Sequence, residues 1–374
     1  MLKALRNIFT VNLKVKRNEK ILIFNDTVPD NISLSDEERQ RILKIKVLAL
    51  LLAEIGTSYT DTIYYHEYQS TGGHGIEPPA ELWEIAYGKK AIDRIKKEGI
   101  LLSILKKTAD DNTLREAESI INKYKTDAVN CVIALSNYST SHTRFRDFLT
   151  RICGCRYASM PLFDVRMLET SMNVDWKELE RITKNIAKVV NKAESISIKT
   201  SNGSYLYFSK KGRKALTDTG ILSKPGSFGN LPAGEVFLAP VEGSANGRLF
   251  VEWAPTHKLN HPITLEIKDG YVIKVTGEDD YKNCLLKILS ERKENSNIAE
   301  FGIGTNKSAK MPDNILESEK IYGTIHIALG DNSSFGGKVK TPFHQDFIFF
   351  RPTVTLYYKD NTKRDIIKEG RCVI

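Results

Sequence analysis

Two histidines and an aspartate near the end of the sequence are the residues best placed to do chemistry. His326 lies in the apolar, β-branched run Gly323-Thr-Ile-His-Ile-Ala-Leu-Gly330, which reads as a short buried strand. His344 and Asp346 stand two apart in Phe343-His-Gln-Asp-Phe347, so a strand there sends both side chains to one face. Buried charge is costly unless it is paired or ligates a metal. A metal site is the simplest functional reading. A hydrogen-bonded His-Asp pair at a strand end is the structural one.

Two further carboxylates join this set. Glu235 follows a Pro/Gly turn in Asn230-Leu-Pro-Ala-Gly-Glu-Val-Phe237, and Glu300 precedes a glycine-rich bend in Ala299-Glu-Phe-Gly-Ile-Gly-Thr-Asn306. Gly302 and Gly304 let backbone come close to a ligand, a metal or another strand. Two Glu, two His and one Asp are the inventory of a binuclear hydrolytic site, in which a carboxylate bridges two ions. A single-metal facial triad needs only two His and one carboxylate.

The elements that must position these residues fall into two kinds. Up to about residue 193 the chain alternates strands and helices. Strands are expected at 20–24, 58–65, 100–105 and 131–135, and helices at 35–54, 91–97, 114–124 and 174–193. Ser35 with Glu38 has capping-box spacing, and Ile42, Ile45, Leu48, Leu52 and Ile55 recur every three or four residues. Trp176 belongs to the apolar face of the last helix, as core. This order predicts a doubly wound, mostly parallel α/β domain over 1–193. From Ser195 the pattern turns to short strands and tight turns, among them Asn202-Gly203 and Asp269-Gly270. Residues 194–374 are therefore expected to form a β-rich α+β catalytic domain that binds the metal, with a helix at 280–290.

Other features restrict the function. The net charge of +9 is spread along 374 residues, with no dense basic block interleaved with aromatics, which argues against nucleic acid. No apolar run reaches the roughly 18 residues of a membrane helix. The first twenty residues, broken by Lys3, Arg6, Lys14, Lys16 and Arg17, lack a signal-peptide pattern. Five cysteines, including a Cys153-x-Cys155 pair, fit idle thiols in a reducing cytoplasm. There is no phosphate-binding glycine motif. His66, His74 and His142 lie far apart and read as loop or surface hydrogen-bonders.

The ordered set of motifs around Glu235, Glu300, His326 and His344-Gln-Asp346, with Ser141-His-Thr143 and Ala158-Ser-Met-Pro161, resembles the aminopeptidase T family of thermophilic metalloaminopeptidases. The resemblance covers nearly the whole chain. It implies that Glu235, Glu300, His326, His344 and Asp346 hold two divalent ions (Zn, Co, Mn or Mg), that the substrate is a peptide, and that the chain forms homodimers. Two-metal activation of water would then remove N-terminal residues, with Glu242 of Pro240-Val-Glu-Gly-Ser244 as candidate general base. The sequence departs from that family in two places. Gly234 stands where the peptidases carry the first of two glutamates, and the Ser333-Ser-Phe-Gly-Gly337 stretch lacks their active-site tyrosine. The 2,5-dihydroxypyridine dioxygenases look like distant relatives of the same fold. They use mononuclear non-haem Fe(II), which His326, His344 and Asp346 could hold. A metal-binding relative without catalysis is the third possibility.

Overall fold

In the computed structural model, residues 1–374 are described except 29–33, 256 and 312. The chain divides into two compact units, residues 1–176 with 220–232, and residues 177–219 with 233–374.

The first unit is built on a five-stranded parallel sheet. Its strand order is Thr62–Tyr68, Lys20–Asp26, Cys131–Ala134, Arg156–Ser159 and Phe228–Asn230. The interior strand Lys20–Asp26 is buried from Ile21 to Asp26, with both of its faces covered. Helix Asp36–Gly56 starts where the sequence predicts. The Ser35 hydroxyl accepts the Glu38 backbone N–H, and the Glu38 carboxylate accepts the Ser35 backbone N–H.

One expected strand is a helix. Ile100–Leu105 is α-helical, with Ile100, Leu101 and Ile104 buried and Leu102 exposed. A six-residue apolar run has no strand-specific periodicity, and its neighbours here are the helices Lys89–Lys97 and Asp111–Lys123. The strand expected at 58–65 is set later, at Thr62–Tyr68, after a turn that closes with the Asp61 N–H on the Arg17 carbonyl.

The second unit contains two antiparallel sheets. The larger has eight strands and includes the expected Ser195–Lys199 and Tyr205–Ser209 hairpin. The smaller runs His344–Phe349, Ile325–Gly330, Ile298–Gly304, Glu235–Leu238, Leu216–Asp218. One apolar core contains side chains of both, including Ile198, Leu206 and Leu249 of the larger and Val236, Phe301, Ile325 and Phe347 of the smaller. Phe208 and Phe301 meet there with ring centroids 5.3 Å apart. Mixed α/β architecture, with one parallel and two antiparallel sheets, is what the sequence predicts.

Candidate metal centre

Register in the smaller sheet explains how distant residues meet. Asp346 stands opposite Ala328, Ala328 opposite Glu300, His326 opposite Gly302, His344 opposite Gly330 and Glu235 opposite Gly304. Directly opposed residues share a face, and so do residues two apart. All five candidates therefore project from one face of the sheet. The alternate set, Ile325, Ile327, Leu329, Phe347, Phe301 and Val236, points into the core. Between the functional side chains lie Gly302, Gly304, Ala328 and Gly330, a bed of small residues that leaves room above it. At Gly302 the room is essential, because a Cβ would lie 1.9 Å from Nε2 of His326.

The five side chains form a continuous run. His326 Nε2 lies 3.3 Å from Glu235 Oε2 and 3.4 Å from Glu300 Oε1. The other oxygen of Glu300 is 3.4 Å from His344 Nε2, which is 3.7 Å from Asp346 Oδ2. His344 donates from Nδ1 to the Asp331 carbonyl at 2.7 Å, since a carbonyl can only accept. That bond leaves Nε2 as the ligating nitrogen, turned toward the carboxylates. His326, Glu235 and Glu300 are buried.

Neutral imidazole lone pairs aimed at carboxylates are unfavourable, so each Nε2 needs a proton or a metal. Burial opposes charge on both rings, but the carboxylates outweigh it. Glu300, Glu235 and Asp346 raise His326 to about 9, and Asp346 and Glu300 raise His344 to about 10. Glu300, which burial would push up, is drawn down to about 2 by the two imidazoles. Two buried atoms of the cluster, His326 Nδ1 and Asp346 Oδ1, have no hydrogen-bond partner among the described residues. Nitrogen and oxygen donors gathered this way fit a divalent cation better than they fit one another. Two groups have ligand atoms mutually within 4.8 Å: Glu300, His344 and Asp346, and Glu235, Glu319 and His326.

Sequence reading missed Glu319 and its neighbour Lys320. Lys320 is fully buried, and its ammonium donates to Glu235 at 2.7 Å and to Glu319 at 2.5 Å. The only sequence signal was position, since Glu319-Lys320 directly precedes the Gly323-Thr-Ile-His326 run. Gly234 also has a local reason. Its φ is +124°, and a Cβ there would meet Asn306 Cβ at 2.7 Å, so the glycine fixes the approach to Glu235.

Glu242 is not part of the cluster, which corrects its expected role as general base. It is ion-paired with Arg213 and accepts from Lys338 N at 2.7 Å and Asn332 Nδ2 at 3.1 Å. Burial would raise its pKa, but these partners hold it below the usual carboxylate range. A base so fully engaged is a strut of the 331–338 loop. Within the first unit, His66 lies in strand Thr62–Tyr68, and His74 accepts the Ser139 backbone N–H at 3.0 Å.

Fold and site together define an α/β chain with a largely buried donor set fit to hold a metal. The 2,5-dihydroxypyridine 5,6-dioxygenase family model matches residues 102–374, and the chain belongs to that family. The 2,5-dihydroxypyridine 5,6-dioxygenase of Pseudomonas putida is 26% identical over 174 residues, 42% of this chain and 49% of that protein. The matched stretch thus spans about half the length of this curated relative. Among solved structures, the 2,5-dihydroxypyridine dioxygenase of Pseudomonas putida KT2440 superposes with a TM-score of 0.68 at 17% identity, covering 100% of this chain and 97% of that one. Wild-type AmpT from Thermus thermophilus superposes at 0.57 and 15% identity, covering 100% and 98%.

These findings correct the aminopeptidase expectation. The likeness to AmpT is one of fold alone, and the matching family is 2,5-dihydroxypyridine 5,6-dioxygenase, so the hydrolase and protease reading falls. The motifs that suggested a peptidase are largely those that shape this sheet face: the strands, their small residues and the His and acid positions. Among the described residues no helix is long and apolar enough to cross a membrane.

Proposed function

We propose that this chain is a non-haem iron ring-cleaving dioxygenase acting on a dihydroxylated pyridine. The observation that carries the reading is that His326, His344 and Asp346 lie along one run of contacts bridged by Glu300, inside the region matching the dioxygenase family. His326, His344 and Asp346 would hold the iron, the donor set of a facial triad with open positions. Iron(II) held in this way supplies the means to bring a ring hydroxyl and dioxygen together. The reading takes one ion, because Lys320 balances one of the carboxylates Glu235 and Glu319, and burial raises Glu319 to about 8 so that it keeps its proton at neutral pH.

The chain's own residues supply orientation and an aromatic surface. The Asp331 carbonyl fixes the His344 tautomer. Phe335 stands edge-on to His344 with ring centroids 5.9 Å apart, and Phe237 stands edge-on to Phe335 at 5.8 Å. Both phenylalanines are partly exposed and offer a flat ring apolar contact beside the donor cluster. Phe335 lies in the stretch where peptidases of this fold carry a tyrosine. Glu300, set between the two imidazoles, accepts a hydrogen bond from Nε2 of each ring while that nitrogen carries its proton.

The test is anaerobic loading with Fe(II), then oxygen-electrode and ultraviolet assays on 2,5-dihydroxypyridine. Stoichiometric oxygen uptake with loss of ring absorbance is expected, and Phe335→Ala should raise KM about tenfold while iron content stays unchanged. Iron-loaded protein that takes up no oxygen with any dihydroxypyridine would refute the assignment.

A further inference from the structure

The loop that follows strand Ile325–Gly330 is closed on itself through one buried residue, Asn332. Its backbone N–H donates to the Val339 carbonyl at 3.1 Å, and its Oδ1 accepts the Val339 N–H at 2.9 Å. The Nδ2 of the same amide reaches out of the loop to Glu242 Oε1 at 3.1 Å. That oxygen also accepts the Lys338 N–H at 2.7 Å, and Arg213 is ion-paired with the other oxygen. Both stems of the loop thus hang on one carboxylate, which a buried guanidinium holds from behind. Phe335 ends the short 3₁₀ turn Ser333–Phe335 between the two stems.

What this anchor holds lies beside the donor cluster. Phe237 stands opposite Gly302, and Gly302 opposite His326, so Phe237 shares the sheet face that carries the donors. Phe335 meets that face at two points, edge-on to Phe237 and to His344. It belongs to no strand, so its place is set by the loop. We propose that Glu242 is a positioning residue for the ring substrate, acting through the loop to hold Phe335 against the donor face. The proposal rests on the ring-cleaving reading above. A carboxylate suits the task because it accepts the Asn332 and Lys338 donors on one oxygen and the Arg213 guanidinium on the other. Three partners leave the Glu242 side chain one orientation, and the loop inherits it.

Hydrogen exchange and steady-state kinetics on the full chain test the proposal together. In Glu242→Ala the amides of residues 332–339 should exchange about tenfold faster or more, while those of strands Ile325–Gly330 and His344–Phe349 keep the parent rate. KM for 2,5-dihydroxypyridine should rise about tenfold, as in Phe335→Ala, with kcat within about threefold and bound iron unchanged. Glu242→Ala combined with Phe335→Ala should be no worse than either alone, since the anchor acts only through the ring. Glu242→Gln still accepts the Asn332 and Lys338 donors, so its KM should stay within about threefold of the parent. Unchanged loop exchange in Glu242→Ala, a parental KM, or losses that add in the double variant would overturn the proposal. A parent that takes up no oxygen refutes the ring-cleaving reading instead. Calorimetric binding of 2,5-dihydroxypyridine to the zinc-loaded chain then takes the place of KM, and an absence of binding overturns both.

Discussion

The two halves of the donor cluster differ in what balances their charge. Glu235 and Glu319 share the buried ammonium of Lys320. Glu300 and Asp346 have no lysine or arginine partner among the described residues, only the imidazoles of His326 and His344. A lysine is a permanent internal cation when carboxylates hold it charged, and burial loses to Glu235 and Glu319 in raising its pKa. An imidazole can give up its proton to a metal and stay a ligand. The same sheet face therefore carries one half that is already neutralised and one half that is ready to exchange protons for an ion.

The largest expected effect of breaking this contrast lies in the exchangeable half. His344→Ala and Asp346→Ala should each lower turnover by roughly 10³-fold or more and strip bound iron. The double variant should cost little more than either single one, since ligands acting as a unit are not additive. A plain His-Asp hydrogen bond would instead cost about 1–3 kcal/mol of stability and leave metal content alone. Thermal melts and metal analysis on the same samples separate these outcomes.

In the neutralised half, Lys320→Met should act on folding. It strands two buried carboxylates, and removal of one partner of a buried ion pair costs about 3–5 kcal/mol. A lower urea midpoint for the second unit is expected, and Glu319→Gln in the same background should recover part of it. An unchanged midpoint would show that Lys320 is not the counter-charge.

A buried carboxylate with no ion pair among the described residues sharpens the comparison from the first unit. Glu77, in the first unit, accepts the backbone N–H groups of Arg144 and Phe145 at 2.6 and 3.1 Å, at the start of helix Arg144–Arg151. Burial outweighs those bonds and raises its pKa from 4.5 to about 7. The folded state then holds a proton that the unfolded chain has released. Stability from this group is present below pH 4.5 and is lost as pH rises toward 7, by at most about 3 kcal/mol. Urea titrations across that interval should show the slope in the parent and a flatter one in Glu77→Gln. Equal slopes would mean that Glu77 does not carry the effect.

Much of this was legible in the sequence, for physical reasons. Strand alternation placed His344 and Asp346 on one face, and the glycine at 302 announced a close approach, which is that of the His326 ring. The Ser35 and Glu38 capping box located a helix. What was not legible depends on three-dimensional company. Ile100–Leu105 is too short to reveal its period, and helices on both sides decide it. Lys320 looks like one more surface lysine until Glu235, 85 residues earlier, is seen beside it. Glu242 looked available until Arg213, Asn332 and Lys338 closed around it. The choice between peptidase and dioxygenase was hidden for a related reason: the motifs report the sheet face and its donors, and a donor set alone does not specify the chemistry.

The most direct test of the account is the number of iron ions per chain after anaerobic reconstitution, measured by elemental analysis on gel-filtered protein. About one per chain is expected for a facial triad, retained in Glu242→Ala and lost in Asp346→Ala. Two ions per chain, or none, or one that survives Asp346→Ala, would contradict it.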